Sequence, residues 1–135
     1  MIVLDTHAWV WWVSDPERLS ARAREAVDQA AKEGELYISS ISVWEVALLA
    51  ERGRLRLAMD VSEWIRYCEA LPFLNFVPVN NRIALLSVRL PKPLHADPVD
   101  RIIIATALTL GATLVSKDEQ ITLSPCRFVV VEMKI

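Results

Sequence analysis

A chain of 135 residues, 53% hydrophobic and 24% charged, can bury one substantial core and is too apolar to be intrinsically disordered. Its net charge of −2 excludes a broadly basic surface, so any nucleic-acid chemistry needs local cationic patches and a bound cation. The two cysteines, Cys68 and Cys126, follow neither a metal spacing nor a disulfide framework. No secretory leader or membrane-length apolar run is visible, so reduced thiols and a cytoplasmic setting are expected.

Short apolar runs alternate with longer helical patterns, the sign of βα units around a parallel sheet. Ile2-Val3-Leu4 reads as a buried strand closed by Asp5, and Asp5-Thr6 can cap a short helix. Trp9, Trp11 and Trp12 cannot all face one core from such a helix, so at least one is expected at a surface contact. Ser20 to Lys32 is a helix ended by Gly34. Leu36-Tyr37-Ile38 is a second strand, followed by a helix from about Val43 to Arg52 that stops at Gly53. Asp60 to Leu71 is helical, with Val61, Trp64, Ile65 and Cys68 on one face and Pro72 as terminator. Phe76-Val77-Pro78-Val79 is a third strand, and Pro78 places it at an edge. Asn81 to Leu90 is a helix, and the loop from Pro91 to Ala96 leads to Asp97. Pro98 to Leu110 is the most hydrophobic helix, expected to be central and capped by Gly111. Thr113-Leu114-Val115 and Phe128 to Val131 are the last strands. The order β-α-α-β-α-α-β-α-α-β-β predicts a three-layer α/β/α sandwich with a central parallel sheet, and residues 1–135 read as one domain.

Ligand sites in open parallel sheets lie beyond the carboxyl ends of the strands. Asp5 directly follows the first strand, and Asp118 follows the fourth by a short turn. Glu45 and Asp100 are placed in the first turns of their helices. Each has a structural alternative. Asp5 can be a cap, and Ser42-Val43-Trp44-Glu45 matches a capping box. Asp97-Pro98 reads as an N-cap with Pro at the first helical position, making Asp100 a dipole partner. Lys117-Asp118-Glu119 can be a polar turn. Together, four acids at one edge repel one another unless a cation compensates, and hard oxygen ligands suit Mg²⁺ or Mn²⁺. His7 and His95 are too scattered for zinc. No Ser-His-Asp or Cys-His constellation, Walker loop or GxGxxG is present.

Four motifs in this order resemble the PIN-domain toxins of the VapC type, ribonucleases of toxin–antitoxin pairs. They are Leu4-Asp5-Thr6-His7-Ala8, Ser42-Val43-Trp44-Glu45, His95-Ala96-Asp97-Pro98-Val99-Asp100-Arg101 and Thr113-Leu114-Val115-Ser116-Lys117-Asp118. The resemblance implies the α/β/α fold and a divalent metal (Mg²⁺ or Mn²⁺) on Asp5, Glu45, Asp100 and Asp118. It also implies an RNA substrate, dimerisation or a larger assembly, and a cognate antitoxin. Asp97 competes with Asp100 for the metal, and Asp100 is preferred because an N-cap carboxylate is already engaged with backbone amides. Thr6, Asp97, Arg101 and Ser116 are candidate accessory residues, and Lys92, His95, Arg101 and Lys117 are candidate phosphate contacts. Arg52, Arg54 and Arg56 are either a solvated helix end or a phosphate-contacting strip. Trp9, Trp11, Trp12 and Trp44 are either core or part of a dimer or antitoxin contact. The expected chemistry is metal-assisted phosphodiester hydrolysis. Two rivals stand beside it: a PIN-fold binding module without cleavage, and a phosphatase-like Mg²⁺ hydrolase, although Asp5-Thr6-His7 lacks the Asp-x-Asp setting of the latter.

Overall fold

The first strand, β1 (Ile2–Leu4), is apolar and fully buried, as a strand covered on both faces must be. The computed structural model describes residues 1–90, 97–116 and 130–132. Around β1 lie β2 (Leu36–Ser39), β3 (Leu74–Val77), β4 (Thr113–Ser116) and β5 (Val130–Glu132), in the spatial order β3-β2-β1-β4-β5. Every pairing is parallel. The helices are α1 (Thr6–Ser14), α2 (Ala21–Lys32), α3 (Ser40–Glu51), α4 (Val61–Glu69), α5 (Asn81–Arg89) and α6 (Pro98–Leu110), with a short 3₁₀ turn at Pro16–Arg18. The element order is the one the sequence predicts.

Successive strand residues face opposite layers. Leu4, Val115, Leu36 and Ile38 pack with Trp9, Val27, Val46, Trp64 and Cys68 on one side. Val3 and Leu114 pack with Ile103, Ile104 and Ala107 on the other. The sheet is therefore the filling of a three-layer sandwich. The tryptophans divide accordingly. Trp9 is wholly buried, 4.8 Å from the Trp64 ring and 5.6 Å from that of Phe76. Trp12 donates its indole N–H to Asp28 at 3.0 Å and meets Phe73 edge-on. Trp11 stays half-buried and Trp44 is 55% exposed.

Several boundaries differ from the sequence reading. The third strand begins at Leu74, ahead of Phe76, and ends before Pro78, although it does occupy an edge. The helix expected from Val43 starts at Ser40, because Ser39 leaves the strand in an extended conformation and caps it at once, accepting from the Ile41 amide at 3.2 Å. Asp60 is a cap outside α4, accepting from the Ser62 amide at 3.0 Å. Of the expected Phe128–Val131 strand, Phe128 and Val129 lie outside the described residues, as do the Pro91–Ala96 loop and Cys126. No described helix is long and apolar enough to cross a membrane.

Gly111 ends α6 with φ +65° and returns the chain to β4. An added Cβ there meets nothing within 4 Å, so only the left-handed backbone resists a side chain. We expect Gly111→Ala to cost about 1–2 kcal/mol in urea unfolding. Ile104→Ala, which empties a fully buried site in the same helix, should cost about 2–5 kcal/mol. Wild-type stability of Gly111→Ala would show that this turn does not keep its left-handed geometry.

Candidate functional site

The sheet order reverses at β1: the chain steps outward through β2 and β3, then crosses back to place β4 on the other side of β1. The crevice above such a switch point is where open α/β sheets bind ligands. Asp5 stands there. Its carboxylate is buried, at 4% exposure, and is held from two directions. One oxygen accepts from the Ala8 amide at 2.8 Å, which makes Asp5 the N-cap of α1. The other accepts from the Ser116 hydroxyl at 2.8 Å, at the end of β4. The register Leu4↔Val115 is what sets Ser116 beside Asp5. Capping and site geometry are thus two uses of one side chain.

Thr6 extends the arrangement sideways. Its buried hydroxyl donates to Ser42 Oγ at 3.0 Å, tying the first turn of α1 to that of α3. Ser42 is therefore not the cap of a capping box. With α3 beginning at Ser40, Glu45 is its sixth residue and lies in the second turn, which corrects the first-turn placement. Glu45 is half-buried and shares a groove of about 500 Å³ with Asp97. Ile41, Trp44, Leu48, Val99 and Ile102 supply the apolar walls of that groove.

Helix α6 carries the next acids. Its 13 residues span about 20 Å, longer than β4, and it ends where β4 begins. Its N-terminus therefore reaches back to the carboxyl edge of the sheet. Asp97 caps it, accepting from the Val99 amide at 2.9 Å, and Asp100 is its third residue. Arg101 has a structural duty that the sequence did not reveal. Its guanidinium donates to the carbonyls of Ser87 at 2.9 Å, Leu90 at 3.1 Å and Val88 at 3.4 Å, closing the end of α5. Asp118, like His95, Lys92 and Lys117, lies outside the described residues.

Asp5, Glu45, Asp97 and Asp100 thus come to one edge of the sheet from three helix beginnings. Among the described residues, no three of His, Cys, Asp and Glu converge into a ready metal cage. The donor set is oxygen only, without sulfur or imidazole, which suits a hard cation that keeps several waters on one or two carboxylates. The chain's residues fit such an ion. Thiol chemistry does not fit at Cys68. Burial pushes that thiol up to about 11, against a weaker opposing hydrogen bond from the Trp9 indole.

A three-layer sandwich with an acidic switch point defines the class: an α/β protein built to present carboxylates at the edge of a parallel sheet. The chain belongs to the PIN domain family, whose model matches residues 2–123. It is 37% identical over 120 residues to Ribonuclease VapC22 of Mycobacterium tuberculosis, spanning 89% of this chain and 88% of that protein. VapBC2 from Rickettsia felis, solved bound to a promoter DNA fragment, superposes with a TM-score of 0.73 at 17% identity, covering 99% of this chain and 100% of that one. A toxin–antitoxin complex from Klebsiella pneumoniae gives a TM-score of 0.66 at 23% identity, with full coverage of both chains. These two likenesses are of fold.

Asp97→Ala removes the cap of α6 and should lower unfolding free energy by roughly 0.5–2 kcal/mol. Asp97→Asn, which can still accept from the Val99 amide, should recover most of it. Equal losses for both substitutions would mean that the charge of Asp97, and not its hydrogen bond, holds the helix.

Proposed function

We propose that this chain is a divalent-metal-dependent endoribonuclease, the toxin of a toxin–antitoxin pair. The observation that carries the reading is the buried, doubly hydrogen-bonded Asp5 at the switch point of the sheet, with Glu45 and Asp100 at the same edge. The relative's name as a ribonuclease, at 37% identity, supports RNA as substrate. Asp5, Glu45 and Asp100 hold the cation, Mg²⁺ or Mn²⁺. Asp118 joins them on the strength of its motif after β4.

When bound, the cation offsets the charge of the scissile phosphate and acidifies a water. The protein's own groups do the rest. Ser116 and the Ala8 amide fix the Asp5 carboxylate, so its orientation is set before substrate arrives. In this reading Glu45, half-buried on the groove side, accepts the proton of the attacking water. Cleavage leaves a 5′-phosphate and a 3′-hydroxyl. Asp97 stabilises α6 and thereby holds Asp100 in place.

Asp5→Asn keeps the cap and the shape but removes ligand charge. Cleavage of total RNA in Mn²⁺ should fall by more than about 100-fold, beyond the effect of losing an outer-shell partner, while the melting temperature holds or rises. Asp100→Asn should behave alike, whereas Asp97→Asn should keep most activity. Wild-type cutting by Asp5→Asn would reduce Asp5 to a helix cap, and loss of cutting only in Asp97→Asn would exchange the two α6 acids.

The partner is an antitoxin, and the toxin works within a dimer or larger assembly. Trp44, 55% exposed on an apolar groove that also contains Glu45 and Asp97, supports a protein contact at this edge. A basic side chain of the antitoxin placed among the acids competes with the cation for the same negative charge. Antitoxin affinity should therefore weaken as Mg²⁺ rises, beyond the effect of matched monovalent salt, in calorimetric titration of the purified pair. A metal-independent affinity would mean that the antitoxin only covers the site.

A further inference from the structure

A second cleft, of about 530 Å³, opens between α1 and the turn after α3. Its chemistry is opposite to that of the Trp44 groove. Its lining includes Arg18, Arg54, His7 and Trp11 and, among the described residues, no carboxylate. Thr6 also lines it, so the cleft begins one residue from Asp5. We propose that this cleft seats an unpaired nucleotide of single-stranded RNA next to the scissile bond, a subsite that rests on the ribonuclease reading above.

Three placements support it. His7 and Trp11 stand one turn apart on α1, their rings edge to face at 6.2 Å. The Arg18 guanidinium lies 5.5 Å from the centre of the Trp11 ring. The guanidinium lies over the indole, and a base can stack on the outer plane of the guanidinium or replace it on the ring. The ion pair of Arg18 with Asp15, 3.3 Å apart and more than half exposed, is too weak to hold the arginine from a phosphate. Arg54 arrives by backbone geometry. Gly53, at φ +70°, turns the chain left-handed, and the Arg54 amide donates to the Leu49 carbonyl at 2.9 Å. That turn folds Arg54 back over the end of α3 into the cleft, while Arg56 lines a different one.

The position suits a flanking nucleotide. Thr6 and Trp11 are separated by about 7–8 Å of helix rise, a reach of the order of one nucleotide step from the acids. Duplex RNA keeps its base faces stacked and does not fit such a platform. In a chain of net charge −2, a cleft lined by two arginines answers the need for local positive charge. An apolar protein segment is better matched by the Trp44 groove.

The test is fluorescence anisotropy on the full chain carrying Asp5→Asn, in Mg²⁺ buffer. The probes are labelled ten-residue oligouridine, oligoadenosine and a fully paired RNA duplex. Adding Trp11→Ala should weaken single-strand binding at least about fivefold, and Trp11→Phe should restore most of it. Duplex binding should change less than about twofold. Arg18→Gln and Arg54→Gln should each lower the slope of log affinity against log salt by about 0.7. Folding is checked by melting, and the Arg54→Gln and Trp11→Phe variants keep the test decisive if Trp11→Ala does not fold. Unchanged single-strand affinity in folded variants overturns the proposal, as does a loss confined to antitoxin binding. If the Asp5→Asn chain binds oligouridine through this cleft while the chain with Asp5 intact cuts no RNA, the ribonuclease reading falls and the subsite stands. A chain that cuts RNA while its variants bind normally would do the reverse.

Discussion

The burial of one carboxylate organises this molecule. Asp5 lies at 4% exposure, where an unsatisfied charge is strongly unfavourable. The amide of Ala8 and the hydroxyl of Ser116 answer it, and each comes from a different element. The Asp5 amide in turn donates to the Val115 carbonyl at 3.0 Å. Strand β1, helix α1 and strand β4 are thus tied at a single residue. The tie depends on register. A slip of one residue between β1 and β4 would carry Ser116 to the opposite face and strand the charge.

The same edge gathers helix beginnings. Asp5, Ser39 and Asp97 are the N-caps of α1, α3 and α6, so three positive helix ends approach the carboxyl side of the sheet. Carboxylates placed among them are less repelled than their number suggests, and the protein can hold them there before a cation binds. The buried Thr6–Ser42 hydrogen bond keeps two of these helix starts together. Asp5 and Asp97 are held rigidly because each carboxylate also caps its helix.

On either side of that edge the surface divides by charge. The groove of Trp44, Glu45 and Asp97 is apolar and acidic, and the cleft of Trp11, Arg18 and Arg54 is aromatic and basic. The two concavities therefore differ in the chemistry they suit, apolar with acids on one side and aromatic with cations on the other. The division arises from α3, whose start faces the groove and whose closing turn at Gly53 turns Arg54 toward the cleft.

By itself the sequence determined the layered α/β architecture, because abrupt apolar runs such as Ile2-Val3-Leu4 and long amphipathic stretches leave few other ways to bury their surface. It also determined the cap at Asp97, since Asp-Pro before an apolar helix has one favourable geometry. It misplaced the start of α3 because Ser39 and Ser42 are equally good caps locally, and only the pairing of β2 with β1 and β3 decides where the strand ends. That choice moved Glu45 from the first turn to the second. Arg101 looked like a phosphate contact beside the acids, and its work on the α5 carbonyls needed the packing of α5 against α6 to be seen. Arg54 and Trp11 stand in the sequence as open alternatives, and only the left-handed turn at Gly53 and the packing of α1 show that the two line one cleft while Arg56 lines another. Local signals set each element's kind and caps, whereas the meeting of side chains from distant elements is a property of the tertiary structure, since it depends on register and packing across the whole sheet.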